Sequence, residues 1–432
     1  MIAGLSFHRS MVIQTNRILF KHWLWGIAAS FLAVVPLSAQ RVLFGQLEAY
    51  LDDYVATLPV AGSNVYRDPQ FEDQENIAKA VKLLLAGDLE EANSVCGQSS
   101  YEVIRYIDNS GAANREFWGL QPQPGSANHW GVLFWNPVSC RNLVLQCPHP
   151  KFDSNTGLQG AYLFLHMEVS GLMISGTHRC NSIAPTECSG TTSACGSSAP
   201  YRLSDIAHNA ASIFQTVTIN LAESGVQTFI QLHGFAKAAG DPNLIISNGT
   251  RDVPAVDPVA DLRNALYDLD PSLTFKIVHI HTDWTKLTAF TNTQGRYLNE
   301  SPAPCTQNAS IASGRFIHIE QEYDRFRRDE AGWELLQHGL EAAFSCELVG
   351  NNTVPSASRI PKITRNGDAI TISSAGEIVL SVYLNTVDGR TLFSGRQENE
   401  RTYRIPRGRM TFLTIRDGKS GQLLVQKKFF LP

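Results

Sequence analysis

The strongest constraint on the fold is an alternation of two sequence patterns between residues 100 and 330. Short apolar runs typical of strands are separated by longer segments whose apolar residues recur at helical spacing. The apolar runs occupy residues 131–135, 143–146, 171–174, 228–232, 244–246, 275–280 and 316–319. The helical segments occupy residues 157–169, 204–223 and 258–269, and an earlier helical pattern starts at Leu43. This alternation predicts an α/β fold with a mixed, mostly parallel sheet flanked by helices.

The distribution of charge divides the chain into two parts. Residues 41–353 contain 20 Lys and Arg against 34 Asp and Glu, whereas residues 354–432 contain 13 against 6. A Pro/Ser-rich segment at 355–358 lies at this change and predicts a domain boundary. In the tail, Asn-Gly or Asp-Gly pairs at 366, 388 and 417 separate short alternating runs, a pattern typical of hairpins. We predict an α/β domain at 41–353 and a small antiparallel β-sandwich at 354–432.

Residues 1–40 have the pattern of a secretory signal peptide. Arg9, Arg17 and Lys21 provide positive charge with no acidic residue before position 48, and the apolar run 23–37 ends at Ser-Ala-Gln. A membrane anchor is the alternative, but a spanning helix needs about 20 apolar residues and this run is shorter. We therefore predict an exported protein, secreted or at the cell surface, without a membrane span in its mature chain.

All eight cysteines lie after the predicted signal peptide. An even number of cysteines in an exported chain favours disulfides, and their spacings match no zinc-finger pattern. The loop from Cys180 to Cys195 is a candidate for a local bridge, although the overall pairing cannot be read from the sequence.

Two function classes lose support from the sequence. The acidic balance of the larger part argues against nucleic acid as a partner, because phosphate binding requires a basic surface. No nucleophile elbow, Walker loop or dinucleotide fingerprint occurs in the context that those motifs require. Serine-hydrolase and nucleotide-dependent functions are therefore disfavoured.

Candidate metal ligands occur at the ends of two predicted strands. His149 follows the run 143–146, and Asp153 lies four residues later, so one helical turn would place both side chains on one face. His233 ends the run 228–232 and precedes Gly234, whose missing side chain would let a metal or substrate approach closely. A turn histidine, a helix-capping aspartate and an ordinary core histidine are the alternatives.

A candidate general base lies on the last predicted strand of the larger domain. His318, Glu320 and Glu322 would face one side of this strand, whereas Ile317 and Ile319 would face the core. A carboxylate beside a metal can accept the proton of a water molecule and later pass it to a leaving amine. We predict this role for Glu320, with Glu322 as its competitor and a solvated surface strand as the alternative.

These motifs resemble the zinc-carboxypeptidase-like superfamily, whose distant members include N-formylglutamate amidohydrolases and phage poly-γ-glutamate hydrolases. The shared order is a His/acid pair on a loop, a strand ending in His-Gly and a late strand ending in Glu. Over residues 140–330 the resemblance implies a catalytic domain with zinc held by His149, Asp153 and His233, and Glu320 as the base. Metallocarboxypeptidases have H-x2-E where this chain has H-x3-D, so Asp153 is the ligand in which this chain departs from the family pattern. His178 is the strongest substitute for it.

Two arginines are candidates for binding a substrate carboxylate. Arg179 follows a predicted strand and could form a bidentate pair with it, and Arg296 is the second candidate. Structural ion pairs are the alternative for both. His208 with Asp205, and His279 with His281, are further pairs that could act as ligands or as supporting groups, although ordinary hydrogen-bonded histidines are the simpler interpretation.

The tail resembles the C-terminal sorting domain of substrates of the type IX secretion machinery. The segments that carry this resemblance are Asp-Gly-Arg at 388–390, Ile-Pro-Arg-Gly at 405–408 and Lys-Lys-Phe-Phe at 427–430. Ile405 stands where that family usually has leucine. The resemblance implies that the type IX machinery is a partner, and a plain accessory β-sandwich is the alternative.

Taken together, these patterns predict an exported zinc-dependent amidohydrolase or peptidase. Its substrate would be a peptide or an acylated amino acid, including γ-glutamyl chains and cell-wall fragments, cleaved at an amide bond next to a carboxylate. A secreted binding protein that keeps the fold without catalysis, or a metal-free adhesin, is the alternative.

Overall fold

A computed structural model describes residues 40–346 continuously. Beyond them it describes residues 362–366, 368–373, 380–386, 391–397, 400–404, 410–417 and 423–430. The predicted signal peptide up to residue 39 and the predicted linker at 355–358 lie outside the described residues. The boundary between the two predicted domains therefore stays a prediction.

Ten strands form the main sheet. They are β1 (Arg41–Gly45), β2 (Tyr101–Asp108), β3 (Arg115–Pro122), β4 (Val132–Trp135), β5 (Arg141–Cys147), β6 (Val169–Ile174), β9 (Thr228–Gly234), β10 (Leu244–Ser247), β11 (Phe275–Ile277) and β12 (Phe316–Gln321). A two-stranded hairpin of β7 (Thr191–Thr192) and β8 (Ala199–Pro200) lies in the loop between β6 and β9.

Eight α-helices accompany these strands in the described chain. They are α1 (Leu47–Thr57), α2 (Phe71–Leu85), α3 (Leu89–Gly97), α4 (Thr156–His166), α5 (Ile213–Glu223), α6 (Pro258–Leu269), α7 (Thr293–Leu298) and α8 (Glu330–Ala343). A short 3-10 helix (Ile206–His208) precedes α5, and a π-helix (Tyr323–Arg327) follows β12.

The sheet order is β1-β2-β3-β4-β6-β5-β9-β12-β10-β11. Five of the nine neighbouring pairs are parallel, and the central strands β6, β5, β9 and β12 are all parallel to one another. This confirms the predicted α/β class and its mixed sheet. Because β5, β9 and β12 are adjacent and parallel, their carboxyl ends meet at one edge of the sheet.

Helices cover both faces of the main sheet. Apolar residues of α1, α4, α6 and α8 pack in one core with Leu145, Leu232 and Ile319. Residues of α2, α3 and α5 pack in a second core with strand residues of the opposite parity, such as Val144 and Phe229. The period of two along each strand therefore decides which side chains of β5, β9 and β12 face α5.

The structure corrects several predicted element bounds. Residues 41–45 form an edge strand paired with β2, not the start of a helix, and α1 begins only at Leu47. The predicted helix 204–223 is a 3-10 turn followed by α5, which Ser212 caps through the backbone N–H of Gln215. Strand β11 ends at Ile277 because residues 278–280 enter a turn. Strands β2 and β3 were not predicted, since their charged residues interrupt the apolar pattern.

The described part of the tail forms two antiparallel sheets. The first contains β13 (Lys362–Asn366), β14 (Ala369–Ser373) and β17 (Arg401–Arg404), and the second contains β15 (Leu380–Thr386), β16 (Thr391–Gln397), β18 (Met410–Asp417) and β19 (Leu423–Phe430). Buried residues of both sheets share one core, namely Ile370, Ile372, Leu380, Val382, Leu384, Tyr403, Leu413 and Ile415. This confirms the predicted antiparallel β-sandwich, and the strand pairs that flank the three predicted turns are antiparallel.

Three disulfides link the described chain. They join Cys140 to Cys346, Cys180 to Cys195 and Cys188 to Cys305, whereas Cys96 and Cys147 are buried free thiols. The prediction of disulfides, including the local Cys180–Cys195 bridge, is confirmed. Among the described residues, no helix combines the length and the apolar character needed to cross a membrane.

Candidate metal centre

The loop after β5 positions two of the predicted ligands. The backbone N–H of Asp153 donates to the carbonyl oxygen of His149 at 3.0 Å, which closes one helical turn and places both side chains on one face. Asn155, with a φ of 68°, then ends this turn in the left-handed region, and α4 begins at the next residue. The local pattern H-x3-D therefore produces the side-by-side arrangement that was predicted from it.

The third predicted ligand comes from the neighbouring strand. His233 lies at the end of β9, and its Nδ1 is 3.1 Å from Asp153 Oδ2, while His149 Nδ1 is 3.3 Å from the same oxygen. The three side chains are 1–4% exposed, and their donor atoms all lie within 4.8 Å of one another. The structure thus brings His149, Asp153 and His233 together although 80 residues separate Asp153 from His233.

His149 is held from its other side by a carboxylate. Its Nε2 donates to Asp205 Oδ1 at 2.7 Å, so Nδ1 is the nitrogen left for Asp153. Burial and the nearby Arg179 lower the pKa of His149, but the carboxylates of Asp205 and Asp153 outweigh them and raise it overall. In the absence of a cation, the His149 ring can therefore carry a proton between the two carboxylates.

His233, unlike His149, has only one N–H donor for the two oxygens that its ring nitrogens face. Burial lowers the pKa of His233 to about 4, so its ring is neutral near pH 7 and has one N–H donor and one lone pair. Both ring nitrogens nevertheless face oxygens that accept: Asp153 Oδ2 at Nδ1, and Gln231 Oε1 at 3.1 Å from Nε2. His149 and His233 lower the pKa of Asp153 against the opposing effect of burial, which keeps that carboxylate ionised. One lone pair of His233 therefore faces another lone pair, and a cation between them would remove the conflict.

Glu320 lies beside this cluster with one oxygen unused. Strand β12 is parallel to β9, and Glu320 is the register partner of His233. Its Oε1 is 3.6 Å from His318 Nε2, whereas Oε2 is buried and has no hydrogen-bond partner in the described chain. Burial, followed by the charge of Asp153, raises the pKa of Glu320 well above its usual value. A buried oxygen without a partner costs about 1–3 kcal/mol, which indicates that a ligand or water belongs there.

His318 is a member of the cluster to which the sequence analysis gave no role. Its ring lies 4.3 Å from that of His233, and its Nδ1 is buried and has no partner among the described residues. His233, His318 and Glu320 form a second group whose donor atoms lie within 4.8 Å of one another. The signal was present in the alternation of β12, which places His318 and Glu320 on the same face as the end of β9.

The competition between Glu320 and Glu322 is decided by a local cap. The carboxylate of Glu322 accepts from the backbone N–H groups of Asp324 and Arg325 at 2.8 and 2.9 Å and so caps the π-helix. Asn243 Nδ2 donates to the same carboxylate at 3.3 Å. Glu322 therefore has a structural role, and Glu320 is the acid that faces the cluster.

Arg179 forms the structural ion pair that was one of its two predicted roles. Its Nε and Nη2 donate to Asp205 Oδ2 at 3.2 and 2.6 Å, and its guanidinium packs over the ring of Phe152 at 5.1 Å. None of the hydrogen bonds in the described chain uses Nη1 of Arg179. Asp205, which the sequence analysis named with His208 as a possible ligand or supporting group, connects Arg179 to His149.

The alternative ligands lie outside the cluster. His178 accepts from the backbone N–H of Cys180 at 3.0 Å and stacks edge-on against Phe152. His208 stacks on Tyr201 and lies 3.0 Å from the Thr291 carbonyl oxygen, and His279 pairs with Asp257. None of them belongs to a group of possible metal ligands within the described residues. The geometry therefore favours Asp153 over these residues as the third member of the group.

Arg296 holds a loop together and does not face a substrate site. Its Nε donates to the carbonyl oxygen of Phe290 at 2.8 Å, Nη1 to that of Cys305 at 3.0 Å and Nη2 to Asn308 Oδ1 at 2.5 Å. These bonds occupy all three nitrogens. The structure therefore argues against the predicted substrate contact of Arg296.

The prediction that Gly234 leaves space for a metal or a substrate is wrong. A Cβ at this position would lie 2.2 Å from Cζ of Arg327, so the guanidinium occupies the space that was predicted for a metal or substrate. Arg327 donates to the carbonyl oxygens of Ser154, Gln321 and Phe235 at 2.7, 3.1 and 3.2 Å. Arg327 thereby joins the three segments that carry Asp153, Glu320 and His233.

Substitution of Asp205 by Asn tests its link to His149. The amide keeps the volume but loses the negative charge that orients the imidazole and makes it a better ligand. We expect the affinity for a divalent cation such as zinc to fall by about 10–100-fold, the usual range for loss of a carboxylate behind a metal-binding histidine. Titration against a chromophoric chelator measures this effect, and Asp257→Asn, at the remote His279 pair, is the control. Equal affinities of the Asp205 and Asp257 variants would contradict this role.

Comparisons with known proteins add little to this geometry. No protein family model matches the chain, and no curated protein matches it. Among solved structures, it is similar to one described as "Crystal structure of Putative metallopeptidase from Shewanella baltica OS155", with a TM-score of 0.25 and 11% identity over 61% of this chain and 90% of that chain. A TM-score this low carries no argument about fold or function.

Proposed function

We propose that this protein is a metal-dependent hydrolase of amide bonds, with a divalent cation held by His149, Asp153 and His233. The observation that carries the proposal is the buried contact of His233 with two acceptors, Asp153 Oδ2 and Gln231 Oε1. A neutral imidazole can donate a hydrogen bond to only one of these two oxygens. A cation between Nδ1 and Asp153 Oδ2 would bind both the lone pair of the ring and the carboxylate.

The donor set fits zinc. Two imidazole nitrogens and one carboxylate oxygen are the ligands of a hydrolytic zinc site, which keeps a fourth position for water or substrate. Glu320, whose Oε2 has no hydrogen-bond partner among the described residues, forms with His318 and His233 a second group of donor atoms within 4.8 Å of one another, and His233 belongs to both groups. Zinc is therefore the cation that we propose.

A cation at this position would supply a Lewis acid that polarises the scissile carbonyl and makes a water molecule more acidic. The side chains perform the proton transfers. Glu320 Oε2, which has no hydrogen-bond partner in the part of the chain that the structure describes, would accept a proton from the attacking water and later deliver it to the leaving amine nitrogen. Asp205 keeps His149 in one orientation through the Nε2 hydrogen bond, so the ligands need not reorganise during the reaction.

Arg179 supplies the second part of the substrate site. Its Nε and Nη2 are fixed by Asp205, which leaves a preoriented cation whose Nη1 could bind a carboxylate or carbonyl oxygen of the substrate. We therefore propose a peptide or an acylated amino acid as substrate, cleaved at an amide bond next to a carboxylate. The proposal covers γ-glutamyl chains and cell-wall fragments.

The experiment is a metal analysis of the purified protein combined with a hydrolysis screen. The protein is offered N-acylated amino acids and γ-glutamyl peptides, before and after a chelator and after zinc is restored. We expect about one zinc per chain and hydrolysis that the chelator abolishes and zinc restores. Hydrolysis that persists without metal, or a protein that binds no divalent cation, would overturn the proposal.

Export and sorting remain proposals as well. The three disulfides are typical of an oxidising compartment outside the cytosol. We propose that residues 354–432 direct the protein through the type IX machinery, on the strength of the resemblance of the tail sequence. Deleting these residues should leave the protein in the periplasm, as measured by cell fractionation. Unchanged delivery to the surface would exclude this role for the tail.

A further inference from the structure

We propose that Gln231 is a positioning residue that keeps the proton of His233 on Nε2, so that the lone pair of Nδ1 points to the metal position. The inference rests on the proposed metal centre and identifies the group that prepares it. Gln231 lies two residues before His233 on β9, so both side chains face the same side of the sheet.

The orientation of the Gln231 amide follows from its partners. Its Nε2 donates to Gln146 Oε1 at 2.9 Å and to Gln294 Oε1 at 3.0 Å. Its Oε1 accepts from Asn292 Nδ2 at 2.7 Å and lies 3.1 Å from His233 Nε2. These partners require the oxygen of the amide, and not its nitrogen, to face His233.

Groups of fixed polarity anchor this orientation at two independent points. Gln294 Nε2 donates to the backbone carbonyl oxygen of Ile206 at 3.2 Å, which leaves Gln294 Oε1 for Gln231. Asn292 Oδ1 accepts from the backbone N–H of Gly295 at 2.8 Å, which leaves Asn292 Nδ2 for Gln231. Backbone groups cannot exchange donor and acceptor, so reversing the Gln231 amide would break contacts at both ends.

A third anchor lies on the far side of the network. Gln146 Nε2 donates to Thr218 Oγ1 at 2.8 Å, and the Thr218 hydroxyl donates to the carbonyl oxygen of Phe214 at 2.9 Å. The side chains of Gln146, Gln231, Gln294 and Asn292 are buried, so water does not compete for these bonds. A buried polar network is costly unless every member is satisfied, and a satisfied one holds a single arrangement.

The consequence for His233 is a preference for one tautomer. Gln231 Oε1 can only accept, so it stabilises the tautomer with the N–H on Nε2, whereas Asp153 Oδ2 stabilises the tautomer with the N–H on Nδ1. Without the acceptor at Nε2, the ring would place its proton on Nδ1 and donate it to Asp153. Both His233 and Asp153 would then be less available to a cation. The network therefore favours the tautomer that a cation at Nδ1 requires.

The first test reads the tautomer in the metal-free wild-type protein. Long-range ¹H–¹⁵N NMR distinguishes a protonated from an unprotonated ring nitrogen, and the signals of His233 are assigned with the His233→Gln variant. We expect a protonated Nε2 and an unprotonated Nδ1 near neutral pH. A proton on Nδ1 would overturn the proposal, and this measurement needs no core variant to fold.

The second test compares two isosteric core variants. Gln231→Met removes the acceptor at His233 Nε2, whereas Gln121→Met removes a buried glutamine on β3 that bonds Tyr50 and Glu102 and lies outside this network. We expect the dissociation constant for zinc, measured by chelator competition, to rise about 10–100-fold in Gln231→Met. In Gln121→Met it should change little, although both variants lose thermal stability. Equal weakening in both variants would show a packing effect and overturn the proposal.

The outcomes separate this inference from the proposed function. Wild-type protein with the expected tautomer but without zinc binding or hydrolysis would overturn the proposed function. Wild-type protein that binds zinc and hydrolyses an amide, with a Gln231→Met variant that binds zinc equally well, would overturn only the positioning role of Gln231.

Discussion

Replacement of Asp153 by Asn is expected to leave the purified protein without bound metal. The carboxylate oxygen Oδ2 is the atom that both imidazoles face, and an amide in its place provides a weaker ligand without negative charge. Loss of a residue that hydrogen-bonds a ligand lowers metal affinity by up to roughly 100-fold. Asp153→Asn should lower it by more, because the ligand itself is removed. Elemental analysis of the purified variant, together with zinc titration, measures the effect. His149→Ala and His233→Ala should behave in the same way.

A partly buried histidine outside the cluster provides the control for these variants. His208 is partly buried and stacks on Tyr201, but it belongs to no group of possible ligands in the described chain. His208→Ala should keep the zinc content of the wild type even if its stability falls. Equal zinc content in the wild type and in all three ligand variants would remove the basis of the metal centre.

The same variants predict a change in thermal behaviour. A ligand that binds only the folded state stabilises it by about 2.7 kcal/mol at a free concentration of 100 times its Kd. Added zinc should therefore raise the melting temperature of the wild type but not that of Asp153→Asn. Identical zinc responses would contradict the assignment of Asp153, independently of any activity measurement.

Replacement of Glu320 by Gln is expected to collapse catalysis while the metal stays bound. The amide has the same shape, but it cannot accept a proton from water, so kcat should fall by about 10²–10⁴-fold. The zinc affinity should change little, because Glu320 is not among the three proposed ligands. Steady-state kinetics on the substrate identified by the hydrolysis screen, with zinc titration in parallel, give both quantities.

Glu322 is the matched control for Glu320. It lies two residues further along, and it caps the π-helix through backbone N–H groups. Glu322→Gln should therefore lower the free energy of unfolding and leave kcat close to that of the wild type. Wild-type turnover in Glu320→Gln would show that this carboxylate is not the base. A wild-type protein that binds zinc without any turnover would favour the alternative of a binding protein that keeps the fold.

Much of the candidate site was predictable because it depends on local periodicity. The spacing of four residues between His149 and Asp153 places them on one helical turn, as the structure shows. The period of two along β12 sends Ile317 and Ile319 into one core and leaves Glu320 on the other face. These features follow from backbone geometry over a few residues, and the spacing of apolar and polar residues predicts such local geometry.

Other predictions failed or remained open where a distant residue decides the outcome. Gly234 suggested space for a ligand, but the guanidinium of Arg327 fills it. Arg179 was left between a substrate contact and an ion pair, and Asp205 engages two of its three nitrogens. The sequence alone could not rank these alternatives, because each depends on a partner supplied by another part of the fold.

The sequence by itself determined the α/β class, the antiparallel tail and the polar residues at the ends of β5, β9 and β12. Only the tertiary structure decided that these ends are adjacent, that Asp205 lies behind His149 and that a buried amide network leads to His233. The physical reason is the separation along the chain of the residues that decide each feature. Periodicity and turns reflect neighbours along the chain, whereas the order of strands in a sheet decides which distant side chains meet.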